Sequence, residues 1–238
     1  MRVLSRQSGI FICAATDLLR CALFPAGARA GEIDTLLFGS LDAAAATFVT
    51  TGVKIGLPAL DRDGAVVLAS VGGGGRDERG PDGARRRYTA AGALVVGYQW
   101  YFDWGVVAAF AGPEFTREML VGNRGPALLP ARYALRLHGE IWARPTEATL
   151  LQMTVIVGSA RDSLWARAAW GYRLWGAYLG PELSLYTDAT GYRKWNFGLH
   201  ATDFAVGRFA VRVSAGVQTE TGRRTTGPYM ALAVWSPW

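Results

Sequence analysis

The stretch Trp165–Tyr186, "WARAAWGYRLWGAYLGPELSLY", decides how this chain is read. It sets Arg167, Arg173 and Glu182 among Trp, Tyr and Leu, and no apolar run in it is long enough for a membrane helix. Read with period two, Ala166, Ala168, Trp170, Tyr172 and Leu174 fall on one face. Trp165, Arg167, Ala169, Gly171 and Arg173 fall on the other. Beyond "LWGA", Leu179, Pro181, Leu183 and Leu185 alternate with Tyr178, Gly180, Glu182, Ser184 and Tyr186. Such alternation sends successive side chains to opposite sides of a sheet. The stretch is a hairpin with one apolar and one polar face. A soluble sandwich carries the same signal, so the question passes to the rest of the chain.

The same alternation recurs near 33–41, 46–57, 64–73, 87–100, 105–113, 132–144, 147–158, 163–174, 177–187, 191–202, 207–219 and 228–236. These are about twelve strands, close to the roughly 9–11 residues with which a tilted strand crosses a bilayer. The connections "ALDRD", "YFDW", "RPT", "LWGA" and "DFAV", after every second strand, are mostly tight. Those at 73–86, "GGGRDERGPDGARR", and 114–131, "EFTREMLVGNRGPALLPA", read as long polar loops. An even strand number with tight turns at one end and long loops at the other is the pattern of an outer-membrane barrel. It places both termini in the periplasm and the long loops outside.

Face composition agrees. Leu94, Val96, Tyr98 and Trp100 form one apolar stripe, and Tyr133, Leu135, Leu137 and Ile141 another. Further stripes are Leu151, Met153, Val155 and Val157, then Trp195, Phe197 and Leu199, then Phe209, Val211, Val213 and Val217, then Met230, Leu232 and Val234. No charge interrupts them. Aromatics gather at strand ends, including Trp100, Phe102, Trp104, Trp142, Trp175, Tyr178 and Phe204 at one level. Tyr88, Tyr133, Trp165, Tyr192 and Trp195 mark the other, as in paired interfacial girdles. The fold expected is all-β, an antiparallel up-and-down outer-membrane barrel of about 12 strands. A closed barrel is required because an open sheet edge has no hydrogen-bond partner in hydrocarbon.

Of the 238 residues half are hydrophobic, 30 are Gly, 12% are aromatic and 18% are charged, which suits a twisted all-β chain with one sizeable core. Residues 1–30 carry Arg2 and Arg6, an apolar region broken by Asp17 and Arg20, and a closing Ala28-Arg29-Ala30. That is the layout of a signal peptide, leaving 31–238 as a single barrel domain. Without the leader, Lys+Arg falls from 25 to 21 and Asp+Glu from 19 to 18, so the net charge falls from +6 to +3. The basic balance is therefore partly a leader effect, and no nucleic-acid partner is expected. Both cysteines, Cys13 and Cys21, leave with it, which removes disulfide and thiolate chemistry.

Eleven residues of inward parity, or at the lumen mouth, are the candidate lumen and glucan contacts. They are Glu114, Arg136, His138, Glu140, Trp142, Arg167, Tyr178, Glu182, Tyr192, Lys194 and Arg212. Aromatic faces suit sugar rings, and charged groups can bond hydroxyls. No catalytic residue is assigned. A G-x-S-x-G elbow and an H-E-x-x-H pair are both missing, and His138 with Glu140 supplies too few ligands for zinc. "GGGG" at 72–75 lacks the Lys-Ser/Thr of a phosphate loop. The "GPE" repeats at 112–114 and 180–182 put Glu114 and Glu182 on inward parity. As an acid–base pair they would suit glycoside chemistry, and as counter-charges they would neutralise Arg136, Arg167 and Arg212. The second reading is preferred. No cofactor and no metal is expected.

Five stretches carry a family resemblance: "GLPALDRDGAVVLASVGGG", "FAGPEF", "LRLHGEIWARPTEATLL", "ARAAWGYRLWGAYLGPELSLY" and "YRKWNFGLHATDF". In their order they resemble the cellulose biosynthesis protein BcsS family. The resemblance implies a role in cellulose production or export at the outer membrane of a Gram-negative bacterium; with no catalytic constellation in the sequence, the role expected is non-enzymatic, as channel, scaffold or surface anchor. The implied partners are outer-membrane lipid, the cellulose chain and other components of the cellulose-synthase complex. A narrow porin for anionic or oligosaccharide solutes is the alternative, and a barrel hydrolase a weaker one.

Overall fold

A computed structural model describes residues 33–80, 83–123, 125–221 and 226–238. The leader expected over 1–30 lies outside the described residues. Thirteen strands follow one another: β1 (Thr35–Ala43), β2 (Ala46–Leu57), β3 (Gly64–Gly80), β4 (Gly83–Phe102), β5 (Gly105–Gly122), β6 (Gly125–Leu128), β7 (Arg132–Thr146), β8 (Thr149–Gly158), β9 (Ser163–Leu174), β10 (Ala177–Thr187), β11 (Arg193–Val206), β12 (Phe209–Glu220) and β13 (Gly227–Pro237). All pair antiparallel with sequence neighbours, save that β7 pairs β5 directly and β6 only extends the β5 edge. β1 pairs β13, with Leu36 opposite Pro237, and this seam closes a ring of twelve strands.

Tight turns hold the end at which β1 begins and β13 finishes, the terminal end of the described barrel. Between β9 and β10 both central residues have positive φ, Trp175 at 49° and Gly176 at 83°, the primed geometry that matches strand twist. The opposite rim corrects the sequence reading. The segments 73–86 and 114–131, expected as loops, are largely strand: β3, β4 and β5 run on for 17, 20 and 18 residues. They rise well past the roughly 9–11 residues that cross a bilayer, whereas β8 has 10. Glycine and charge suggested coil, but Arg76, Glu78, Arg85 and Arg87 share one face and pair across β3 and β4. Glu78, facing Arg85 and diagonal to Arg87, supplies the opposite charge that stabilises a ladder composition alone disguises.

The outer surface is apolar. Tyr133 is 79% exposed, Leu199 68%, Leu135 67%, and Val96 and Met230 60% each. Stacked or tilted rings, Tyr98–Trp100 and Phe102–Trp104, line the terminal end of β4 and its turn. Val211 departs from its expected exposure. A bulge between Thr202 and Phe204 brings Phe204 opposite it, and it is buried.

Inside, the lumen is not polar throughout. Val66, Leu68, Ala93, Val95, Ala108 and Phe110 form a buried cluster on the inner faces of β3–β5, with Phe38 and Leu60 packed against it. Both faces of "AVVLASV" are apolar, so neither was marked as inner by sequence. A Cβ at Gly52 would stand 2.4 Å from the Phe38 ring, so only glycine lets that ring lie on the barrel wall.

Candidate functional site

The candidate site is the lumen, and it is crossed at successive levels by side-chain contacts, some between neighbouring strands and others between strands that are not neighbours. Near the terminal end Trp142 of β7 meets Trp235 of β13 edge to face, with centroids 5.8 Å apart. Arg144 of β7 donates to Asp203 of β11 at 2.9 Å and lies over the Tyr178 ring of β10. At the next level Lys54 of β2 donates to Glu140 of β7 at 2.9 Å while sitting over the Phe110 ring. His138 Nε2 lies 3.1 Å from the other oxygen of Glu140. Beyond that, Arg167 of β9 donates to Glu182 of β10 at 3.1 Å and to Gln152 of β8 at 2.9 Å, and Ser214 of β12 donates to the same Glu182 at 3.0 Å.

The far rim carries the densest network. Asp188, in the β10–β11 connection, accepts from Arg76 at 2.9 Å and from Arg161 of the β8–β9 connection at 2.7 Å. Arg161 also donates to Glu118 of β5, which accepts from Arg87 of β4 at 3.0 Å. Arg87 grips Glu78 through two bonds of 2.9 Å. Two connections from one side of the mouth are thereby tied to the tall wall on the other. Burial pulls the Asp188 carboxyl up, but the Thr190 hydroxyl bond and the Arg161 and Arg76 charges outweigh it and hold it below the usual range. Burial likewise works against Glu78, and its bonds to Arg87 and Arg85 prevail, lowering it.

The eleven candidate residues fall into this frame unevenly. Glu140, His138, Trp142, Tyr178, Arg167 and Glu182 belong to the bridges. Trp142, Tyr178 and Tyr192 are not girdle residues: the first two are in the lumen, and Tyr192 lies under the Arg76 guanidinium at 4.0 Å and donates to Glu220 at 2.7 Å. Glu114 accepts from the Ala160 N–H at 2.8 Å and Glu182 binds Arg167 and Ser214, so the two "GPE" carboxylates have separate partners. Arg136 and Arg212 each have a buried Nε without a hydrogen-bond partner among the described residues, and Lys194 sits opposite Glu220 near the mouth. His200, the second histidine, places Nε2 3.1 Å from the Trp170 carbonyl and Nδ1 2.7 Å from the Thr202 hydroxyl, as a donor and an acceptor fixed within the wall. Among the described residues no group of three or more His, Cys, Asp or Glu could hold a metal.

Sequence reasoning missed Arg76, Arg87, Glu118, Arg144, Arg161, Asp188 and Asp203. Arg76 and Glu118 were assigned to loops and Arg87 to the first position of a strand, although their period-two alternation with Glu78, Arg85 and Thr116 was readable. No spacing signal marks Arg161 or Asp188, because they meet only once the barrel is closed.

A closed twelve-strand ring with an apolar exterior, aromatic rims and an interior crossed by side-chain bridges defines an outer-membrane-type β-barrel. Residues 36–238 match the family model described as cellulose biosynthesis protein BcsS, and the chain belongs to that family. It is thus a barrel protein associated with cellulose biosynthesis. A search among curated proteins found no match. Among solved structures it is similar to the KdgM porin, with 12% identity, coverage of 85% of this chain and 99% of that one, and a TM-score of 0.46. It is also similar to the β domain of the Bordetella autotransporter BrkA, with 13% identity, coverage of 86% and 98%, and a TM-score of 0.46. The translocator domain of autotransporter NalP from Neisseria meningitidis shares 10% identity over 97% of this chain and 94% of that one, with a TM-score of 0.44.

Proposed function

We propose that this chain serves cellulose biosynthesis in the outer membrane of a Gram-negative bacterium as a non-enzymatic scaffold or surface anchor whose lumen is closed at rest. The termini lie in the periplasm, and the tall wall of β3–β6 stands outside. The observation that carries this reading is the set of bridges between non-neighbouring strands, from Trp142–Trp235 at one end to Arg76–Asp188 at the other. A cellulose chain threading the barrel would have to break all of them. Contact with glucan and with cellulose-synthase components is therefore assigned to the rim, where Tyr192 and Lys194 lie, and to the extended wall.

Deleting the chain from its host tests the reading. Surface-retained cellulose is expected to fall while glucan polymerisation by isolated inner membranes continues. Unchanged surface cellulose would overturn it. Folded H138A and E182Q variants are expected to restore retention, and a folded variant that does not would point to barrel hydrolysis instead.

A further inference from the structure

One feature recurs at the tall rim alone. On the outward faces of β4, β5 and β11 an aromatic ring is followed, two residues farther out, by an arginine. Tyr88 precedes Arg86, Phe115 precedes Arg117 and Trp195 precedes Arg193. Two residues along a strand are about 7 Å and return to the same face. Each guanidinium thus stands just beyond its ring. The rings lie on the outer face towards this rim: Phe115 lies against Tyr133 at 5.3 Å, Trp195 stacks on Phe197 at 6.2 Å, and Tyr88, under Arg86 at 5.6 Å, stands farther out, opposite Met119 rather than Phe115. At the other rim the corresponding steps lead from Trp100 to Phe102 and from Tyr172 to Leu174, with no charge.

We propose that Arg86, Arg117 and Arg193 bind the phosphate-bearing headgroups of the outer leaflet. This rests on the membrane reading and orientation proposed above. All three are exposed. Arg117 and Arg193 have no carboxylate in ion-pair reach among the described residues, and Arg86 has only exposed Asp77 at 3.5 Å, a weak competitor in water. Arginine's planar fork matches phosphate oxygens two at a time. Placement selects a lipid layer over a macromolecular partner. Arg86 and Arg117 are on adjacent strands, whereas β11 lies five strands round the ring from β5. One globular partner does not span those positions, but a headgroup layer encircles them all.

The test uses the folded full barrel in non-ionic detergent, titrated with bisphosphorylated lipid A and followed by native mass spectrometry. The expected result is retained lipid A, at least tenfold weaker retention by R86Q/R117Q/R193Q, and similarly weak retention of the dephosphorylated lipid by the wild type. R208Q, at the opposite rim where Arg208 lies between Phe209 and Trp238, is expected to retain lipid A fully. Equal retention by the triple variant, or of the phosphate-free lipid, overturns the proposal. Loss in R208Q instead overturns both the site and the orientation. A gel shift on boiling, measured on each variant, shows separately whether the closed barrel stands.

Discussion

Replacing Glu182 by Gln removes the charge that neutralises Arg167 inside the barrel, where their side chains are 3% and 6% exposed. Breaking one partner of a buried pair costs about 3 kcal/mol or more, while replacing both by apolar groups of similar volume is close to neutral. E182Q is therefore expected to unfold well before the wild type in a urea titration followed by gel mobility, and R167M/E182M close to it. Gly52 gives a second test. G52A forces a Cβ into the Phe38 ring and the Ala69 carbonyl, and is expected to destabilise by about 1–3 kcal/mol in the same assay. At this scale the sequence was partly legible. The inward parity of Arg167 and Glu182 followed from alternation, and so did a counter-charge role for Glu182 among the lumen arginines, but not which arginine it pairs with. The glycine's purpose did not, because nothing in period two says that a ring on the neighbouring strand lies over it.

Strands and their connections behave differently. The mouth is fastened by two connections, and its fastening should respond to acid. The Asp188 carboxyl is held below the ordinary aspartate value of about 3.9. A depressed carboxyl contributes stability above its unfolded value and loses it as pH falls through the folded one. Hydrogen exchange of the segment 188–192 is thus expected to be slow at pH 6 and to accelerate below about pH 4, ahead of the strand cores. D188N is expected to exchange quickly at both. Element existence was readable from alternation, and tight turns such as Trp175–Gly176 from their spacing. The extensions of β3, β4 and β5 were not, since a Gly-rich charged stretch resembles coil until the facing strand supplies its counter-charges.

For the whole molecule the bridges predict electrical silence. In planar bilayers the wild-type barrel is expected to show no steady conductance, and R144A/W142A/W235A, which clears the terminal end, to raise it without abolishing folding. Steady conductance of the wild type would favour the narrow porin. Strand count and closure were legible as repetition, but the filling was not. Lys54–Glu140 and Arg144–Asp203 join strands four places apart in the ring, and a linear pattern carries no information about who faces whom across a cylinder. The seam has a consequence in time. Leu36 pairs with Pro237, and the Trp238 N–H closes on the Thr35 carbonyl at 2.8 Å. The first strand therefore waits for the last, across nearly the full described length, and until β13 arrives every intermediate carries two unpaired margins that neither water-free lipid nor its own sequence can satisfy. Biogenesis must lend this chain a temporary neighbour, and a lesion confined to Gly227–Pro237 would strand the other eleven wall strands at that station.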